Sequence, residues 1–182
     1  MKFIHTNIPE VLLIEPTIYE DSRGFFMESY QSKVFAEAGI KETFVQDNQS
    51  SSTQGVLRGL HYQIHHAQGK LVRALYGKIF DVAVDLRRSS PTFGKWAGIY
   101  LSATNKHQLW IPPGFAHGFY VLSEKAEVFY KATNYYSPKS ERMLLWNDPV
   151  LDINWPLING VPPILSDKDS SGVLFSESEC FE

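Results

Sequence analysis

Between Gly55 and Arg73 the chain reads G-V-L-R-G-L-H-Y-Q-I-H-H-A-Q-G-K-L-V-R, which sets His61 in an apolar run with Arg58, Lys70 and Arg73 as cationic neighbours. On its own His61 is either a satisfied core histidine or a base tuned by burial. Further along stand His117, in P-P-G-F-A-H, and Tyr130, in E-V-F-Y-K-A-T-N-Y-Y. Gathered in one cavity with a carboxylate, these residues suit proton transfer at a carbon beside a carbonyl. Such a reaction needs a base, a cation for the enolate oxygen and an acid to return the proton. His61 fits the base, Lys70 the cation and Tyr130 an acid on the opposite side, which would invert the carbon. On pattern alone Tyr130 is better read as a core aromatic with a bonded hydroxyl.

A histidine strand followed by Pro112-Pro113-Gly114-Phe115-Ala116-His117 resembles the two motifs of the cupin superfamily of small jelly-roll barrels. Metal-binding cupins place two histidines two residues apart, then a glutamate, then a third histidine in the proline turn. Here position 63 is Gln63, and no glutamate lies between His61 and Gly77. An amide is a poor replacement in an imidazole-carboxylate site, so neither metal nor cofactor is expected. His65 and His66 are read as solvated.

The elements that must position these residues are strands. If residues 57–64 are extended, Leu57, Gly59, His61 and Gln63 share one face and Arg58, Leu60, Tyr62 and Ile64 the other. Segments 71–75 and 79–86 flank Tyr76-Gly77-Lys78, a hairpin signal. Phe80, Val82, Val84 and Leu86 alternate with Asp81, Ala83 and Asp85. Further strands are expected at 11–14, 25–30, 95–101, 107–111, 115–122 and 126–136, with a serine-rich loop after Ser50. Ser32 is expected to cap a short helix over 33–38 ended by Gly39, and residues 166–169 to open another. Short, regularly spaced strands almost without helical period predict an all-β sandwich or jelly roll, and the resemblance to the cupin motifs implies a cupin-like double-stranded jelly-roll barrel with short peripheral helices.

With 182 residues, 43% hydrophobic and 14% aromatic, the chain fits one domain over 1–182. Its parts would be an N-terminal strand region 1–45, a jelly-roll core 46–137 and a tail 138–182 folding back on the barrel. A net charge of −3 argues against nucleic acid or anionic membranes as partners. The single cysteine, Cys180, admits no internal disulfide, and no run approaches a membrane span, so the expected compartment is the cytoplasm.

Nine blocks then align in order: D-S-R-G-F-F-M-E, Q-D-N, G-V-L-R-G-L-H-Y-Q, A-Q-G-K-L-V-R, F-D-V-A-V-D-L-R, P-P-G-F-A-H-G-F, Y-K-A-T-N-Y-Y-S-P, L-L-W-N-D-P and L-S-D-K-D. Together they resemble the dTDP-4-dehydrorhamnose 3,5-epimerase family over residues 3–170. The resemblance implies a metal-free homodimer acting on dTDP-4-dehydro-6-deoxy-D-glucose at C3 and C5. It implies His61 as base in a dyad with Asp169, Tyr130 as proton donor, and Lys70 and His117 facing the sugar. It further implies Arg58 and Lys168 near the pyrophosphate, Gln46, Asn48 and Glu141 on the nucleotide sugar, and Phe119 as a wall of the sugar pocket. Tyr135 or Tyr136 would stack on thymine. Arg23, Phe26 and Glu28, from the first block, would reach a site across the dimer.

Overall fold

The computed structural model describes residues 1–182 and is built on two antiparallel sheets packed face to face. Thirteen strands are formed: β1 (Lys2–His5), β2 (Leu12–Glu15), β3 (Ile18–Asp21), β4 (Gly24–Met27), β5 (Gln46–Thr53), β6 (Leu57–Gln63), β7 (Lys70–Tyr76), β8 (Lys78–Asp85), β9 (Trp96–Ser102), β10 (Gln108–Ile111), β11 (Phe115–Val121), β12 (Lys125–Ala132) and β13 (Glu141–Met143). One sheet has the order β1-β2-β10-β7-β12-β5 and the other β13-β6-β11-β8-β9, while β3 and β4 form a separate hairpin. The architecture is the expected cupin-like jelly roll. No helix is long and apolar enough to cross a membrane.

Three apolar clusters explain why these sequences form these layers. Between the sheets lie Val72, Ala83, Leu101, Leu109, Phe119 and Val128 with their neighbours. Outside the five-stranded sheet, Leu57, Leu60, Tyr62, Phe80, Val82 and Tyr120 pack under Trp155 and the C-terminal tail. Outside the six-stranded sheet, Leu12, Ile14, Leu71 and Trp110 cover Phe35 of α1 (Ser32–Glu37). The central strands β8 and β11 are therefore buried on both faces. The alternation expected for residues 80–86 is observed, with Phe80, Val82, Val84 and Leu86 on the tail side and Ala83 between the sheets.

Several expectations are corrected. Gly77 does not close a hairpin: β7 and β8 belong to different sheets, so the turn carries the chain across the sandwich. A turn signal specifies reversal but not the strand beside which the chain lands. The serine-rich stretch is strand, not loop, because residues 46–53 pair along β12 as a polar edge strand. The aromatic strand stops at Ala132, where Gly69 and Thr133 exchange bonds and the chain turns away. The first helix starts at Ser32, one residue early, and is capped by the Gln31 side chain accepting from Val34 N–H, so Ser32 is not the cap. Gly39 follows it at φ 95° as expected.

The face expected for Arg58 is also corrected, and this change builds the site. His61 pairs with His117 and Arg58 with Phe119, so three steps on β6 match two on β11. The extra residue is a β-bulge, which reverses the alternation between Arg58 and His61. Both consequently face the inter-sheet space, while Leu57, Leu60 and Tyr62 share the tail side. The bulge depends on two glycines: a Cβ on Gly59 would lie 2.5 Å from the Gly118 Cα, and one on Gly118 would lie 2.7 Å from the Arg58 carbonyl oxygen. Gly118→Ala is expected to cost about 1–3 kcal/mol, the scale of overpacking, and to lower activity by displacing Arg58 from the cavity. Chemical denaturation and turnover assays read the two effects.

Candidate active site

At one mouth of the sandwich the apolar filling gives way to a cavity of about 400 Å³ with polar walls. The six-stranded sheet supplies Gln46 and Asn48 from β5, Lys70 from β7 and Tyr130 from β12. Their alignment follows from register, since Asn48 and Val72 both flank Tyr130, and Gln46 and Lys70 both flank Ala132. The facing sheet supplies Arg58 and His61 from β6, His117 and Phe119 from β11 and Glu141 from β13. Lys168 closes the rim from α2 (Asp167–Ser170).

Asp169, the buried residue of α2, stands behind His61. Its Oδ1 lies 2.6 Å from His61 Nε2 and accepts the Gly59 N–H at 3.1 Å. Burial by itself would raise this carboxyl, but bonds from His61, Ser166 and Gly59 outweigh it and hold it at about 2. An ionised carboxylate only accepts, so Nε2 of His61 carries its hydrogen and Nδ1 is the basic nitrogen. The expected dyad is thus formed, with its geometry set by the bulge glycine as well as by the histidine.

Lys70 is buried, and its Nζ has one long bond, 3.5 Å to the His61 carbonyl oxygen. Burial pulls its ammonium down to about 8, with Asp81 and Glu141 opposing. Burial likewise lowers His117, against the pull of Asp81, whose Oδ1 stands 2.7 Å from His117 Nε2. His117 is therefore a neutral imidazole that donates through Nε2 and presents an acceptor at Nδ1. The second oxygen of Asp81 is buried without a hydrogen-bond partner. Tyr130 is half-buried against the inter-sheet core, and burial raises its phenol, so it keeps its proton at neutral pH.

The rim carries charge. Glu141 Oε2 accepts from Lys168 Nζ at 2.5 Å and from the Tyr136 hydroxyl at 2.8 Å. Burial would raise Glu141, yet these bonds bring it below the usual carboxylate range. Arg58 donates from Nε to Ser52 Oγ at 2.9 Å, which aims its guanidinium along the mouth. Of the two tyrosines proposed for stacking, Tyr136 lines the cavity, whereas Tyr135 is 66% exposed elsewhere. Gln63, the residue in the cupin ligand position, turns its amide into the 134–137 loop, bonding His66 and Tyr135 carbonyls and the Ser137 N–H. No group of three or more His, Cys, Asp or Glu side chains is placed to hold a metal ion.

Three expected site residues lie outside this cavity. Arg23 is in the β3–β4 turn, forked onto Asp21; Phe26 is 70% exposed on β4; and Glu28 follows β4, exposed. Conversely, Gln49, Ser50 and Gln68 line the cavity without having been singled out. Gln68 sits two residues before Lys70 in the A-Q-G-K block, a signal that was available. Gln49 and Ser50 were hidden by reading their segment as a lead into a loop.

Comparison with known proteins identifies the family. The sequence model of the dTDP-4-dehydrorhamnose 3,5-epimerase family matches residues 5–177. The chain is 59% identical over 182 residues to the dTDP-4-dehydrorhamnose 3,5-epimerase of Pseudomonas aeruginosa, covering 100% of this chain and 99% of the relative. It is 60% identical over 183 residues to that of Shigella flexneri, covering 100% and 99%. The crystal structure of dTDP-6-deoxy-D-glucose-3,5-epimerase from Legionella pneumophila Philadelphia 1, in complex with dTDP-4-keto-L-rhamnose, superposes with a TM-score of 0.94 at 55% identity, covering 98% of this chain and 94% of that one. Fold and site together define a cupin-like carbohydrate isomerase. More narrowly, the chain belongs to the dTDP-4-dehydrorhamnose 3,5-epimerase family.

Proposed function

We propose that residues 1–182 form one epimerase domain that converts dTDP-4-dehydro-6-deoxy-D-glucose to dTDP-4-dehydro-L-rhamnose, working in the cytoplasm without metal or cofactor. The observation that carries this reading is the placement of His61 and Tyr130 on facing sheets of a single cavity beside the buried ammonium of Lys70. The ligand of the Legionella relative supports the choice of sugar.

In this reading Nδ1 of His61 removes the hydrogen α to the C4 ketone. The C–H electrons move into an enolate, whose oxygen Lys70 stabilises in a poorly hydrated pocket. The Tyr130 hydroxyl delivers a proton to the opposite face, and solvent restores the tyrosine and relieves the histidine. Asp169 stays ionised throughout, orienting the ring and stabilising the imidazolium, as the carboxylate does in hydrolase triads. Because C3 and C5 flank the same ketone, one enolate-stabilising cation serves both inversions. His117 offers Nδ1 to a sugar hydroxyl, and Phe119 walls the ring. Arg58 and Lys168 bind the pyrophosphate through charge-assisted bonds. Gln46, Asn48 and Glu141 hold the rest of the nucleotide sugar, and Tyr136 stacks on the base.

The protein acts as a homodimer in this reading. Tyr19, Phe25 and Phe26 leave the β3–β4 hairpin with a large exposed apolar surface, and β5, bordering the cavity, is an edge strand. A partner's hairpin laid along that edge would bring Arg23, Phe26 and Glu28 to the nucleotide.

Incubation with the 4-keto sugar in deuterated water is expected to label both C3 and C5. His61→Ala should slow labelling by about two to four orders of magnitude, the usual span for a general base; label at one carbon only would reassign the enzyme as a single-centre epimerase, and full turnover by the variant would remove His61 from the base role. Since Lys70 loses its charge near pH 8, kcat/KM should fall above that pH. Lys70→Arg, permanently charged, should move this limb upward. Co-refolding His61→Ala with Arg23→Ala chains is expected to restore turnover that neither variant shows alone, because mixed dimers would contain one intact site; failure to complement would place Arg23 outside the shared site.

A further inference from the structure

Ser166 precedes α2, and its hydroxyl meets Asp169 twice. It accepts the Asp169 N–H at 3.1 Å and donates to Asp169 Oδ2 at 2.6 Å. A hydroxyl has one hydrogen, and an ionised carboxylate can only accept, so that hydrogen points at Oδ2. The other oxygen, Oδ1, takes His61 Nε2 and the Gly59 N–H. The carboxylate is thereby pinned at both ends, to β6 by one oxygen and to its own helix start by the other. Asp169 is 5% exposed, so an oxygen deprived of its donor there would not readily recover one from water. The terminal torsion of an aspartate is broad, and without Oδ2 held only the two bonds at Oδ1 resist its turning out of line with Nε2.

We propose that Ser166 is a positioning residue for the proton transfer at His61, its hydroxyl locking the Asp169 carboxylate in line with Nε2 as the third member of a hydrogen-bonded Ser166–Asp169–His61 chain. It acts through Asp169 and touches no substrate. The inference rests on His61 being the base.

The competing role for Ser166 is that of a helix cap, which needs only an acceptor. Substitution separates the two roles. Ser166→Thr keeps acceptor and donor, Ser166→Ala loses both, and Ser166→Gly loses the hydroxyl but is well tolerated at a helix cap. The Thr variant is expected near the wild-type kcat. The Ala and Gly variants should lose about 10- to 100-fold in kcat, the scale for an outer-shell hydrogen-bond partner, with KM little changed and the Gly variant melting near the wild type. Removing a donor makes the carboxylate a stronger base and favours the imidazolium, so the acid limb of kcat/KM should move to higher pH in both. A Ser166→Gly enzyme with full kcat and an unmoved acid limb would overturn the proposal, as would a Thr variant as slow as the Ala one. If the wild type exchanges no deuterium into the sugar, the base assignment and this inference fall together. If it exchanges and Ser166→Ala exchanges equally fast, only this inference falls.

Discussion

Asp169 Oδ1 is the atom on which the site depends. It receives the imidazole of His61 and the amide of Gly59 at once, so it ties together the imidazole, the bulge that orients it and the helix that carries Lys168. A bond to a buried carboxylate is stronger than one between neutral partners and expensive to leave unmade. That cost disfavours a straightened β6, which would take the Gly59 N–H away and turn Arg58 to the other face.

The two histidines show how the same pairing gives different chemistry in different surroundings. Each directs Nε2 to a carboxylate on its own side of the cavity, at 2.6 Å for His61 and 2.7 Å for His117. His61 retains partial exposure, with 30% of its side chain accessible, against 7% for His117. The open histidine can pick up and release protons with solvent, whereas the buried one is held neutral as a fixed acceptor. Lys70 lies near both. Its depressed titration leaves an ammonium that is charged at neutral pH yet thinly hydrated, the state in which a cation best stabilises a developing oxyanion.

Much of this was legible in the sequence, and what was not has identifiable causes. The patterns at residues 80–86 and 115–122 marked strands, though Asp81 and Asp85 gave no sign that both faces of the first would be buried. The motif blocks pointed to His61, Tyr130 and Lys70, which meet at one cavity, and to Asp169, which stands behind His61. The bulge was not legible: a glycine after Arg58 announces an irregularity without saying on which strand the extra residue falls, and that is set by Gly118 across the ladder. The Gly77 turn failed for a related reason, since its change of sheet depends on strands met later in the chain. Ser166 reads as a cap, and nothing in its neighbours reveals a second bond through the same hydroxyl. Arg23, Phe26 and Glu28 belong to a recognisable block, but a single chain keeps them away from the cavity.

The dyad joins residues 108 positions apart, with its carboxylate on the tail that covers the outer face of the five-stranded sheet. A chain still leaving the ribosome can have strands β1 to β13 complete and yet lack the partner for its imidazole. In the proposed mechanism the chemistry therefore waits for the last segment to dock, since only then does the imidazole of His61 gain the carboxylate that orients it.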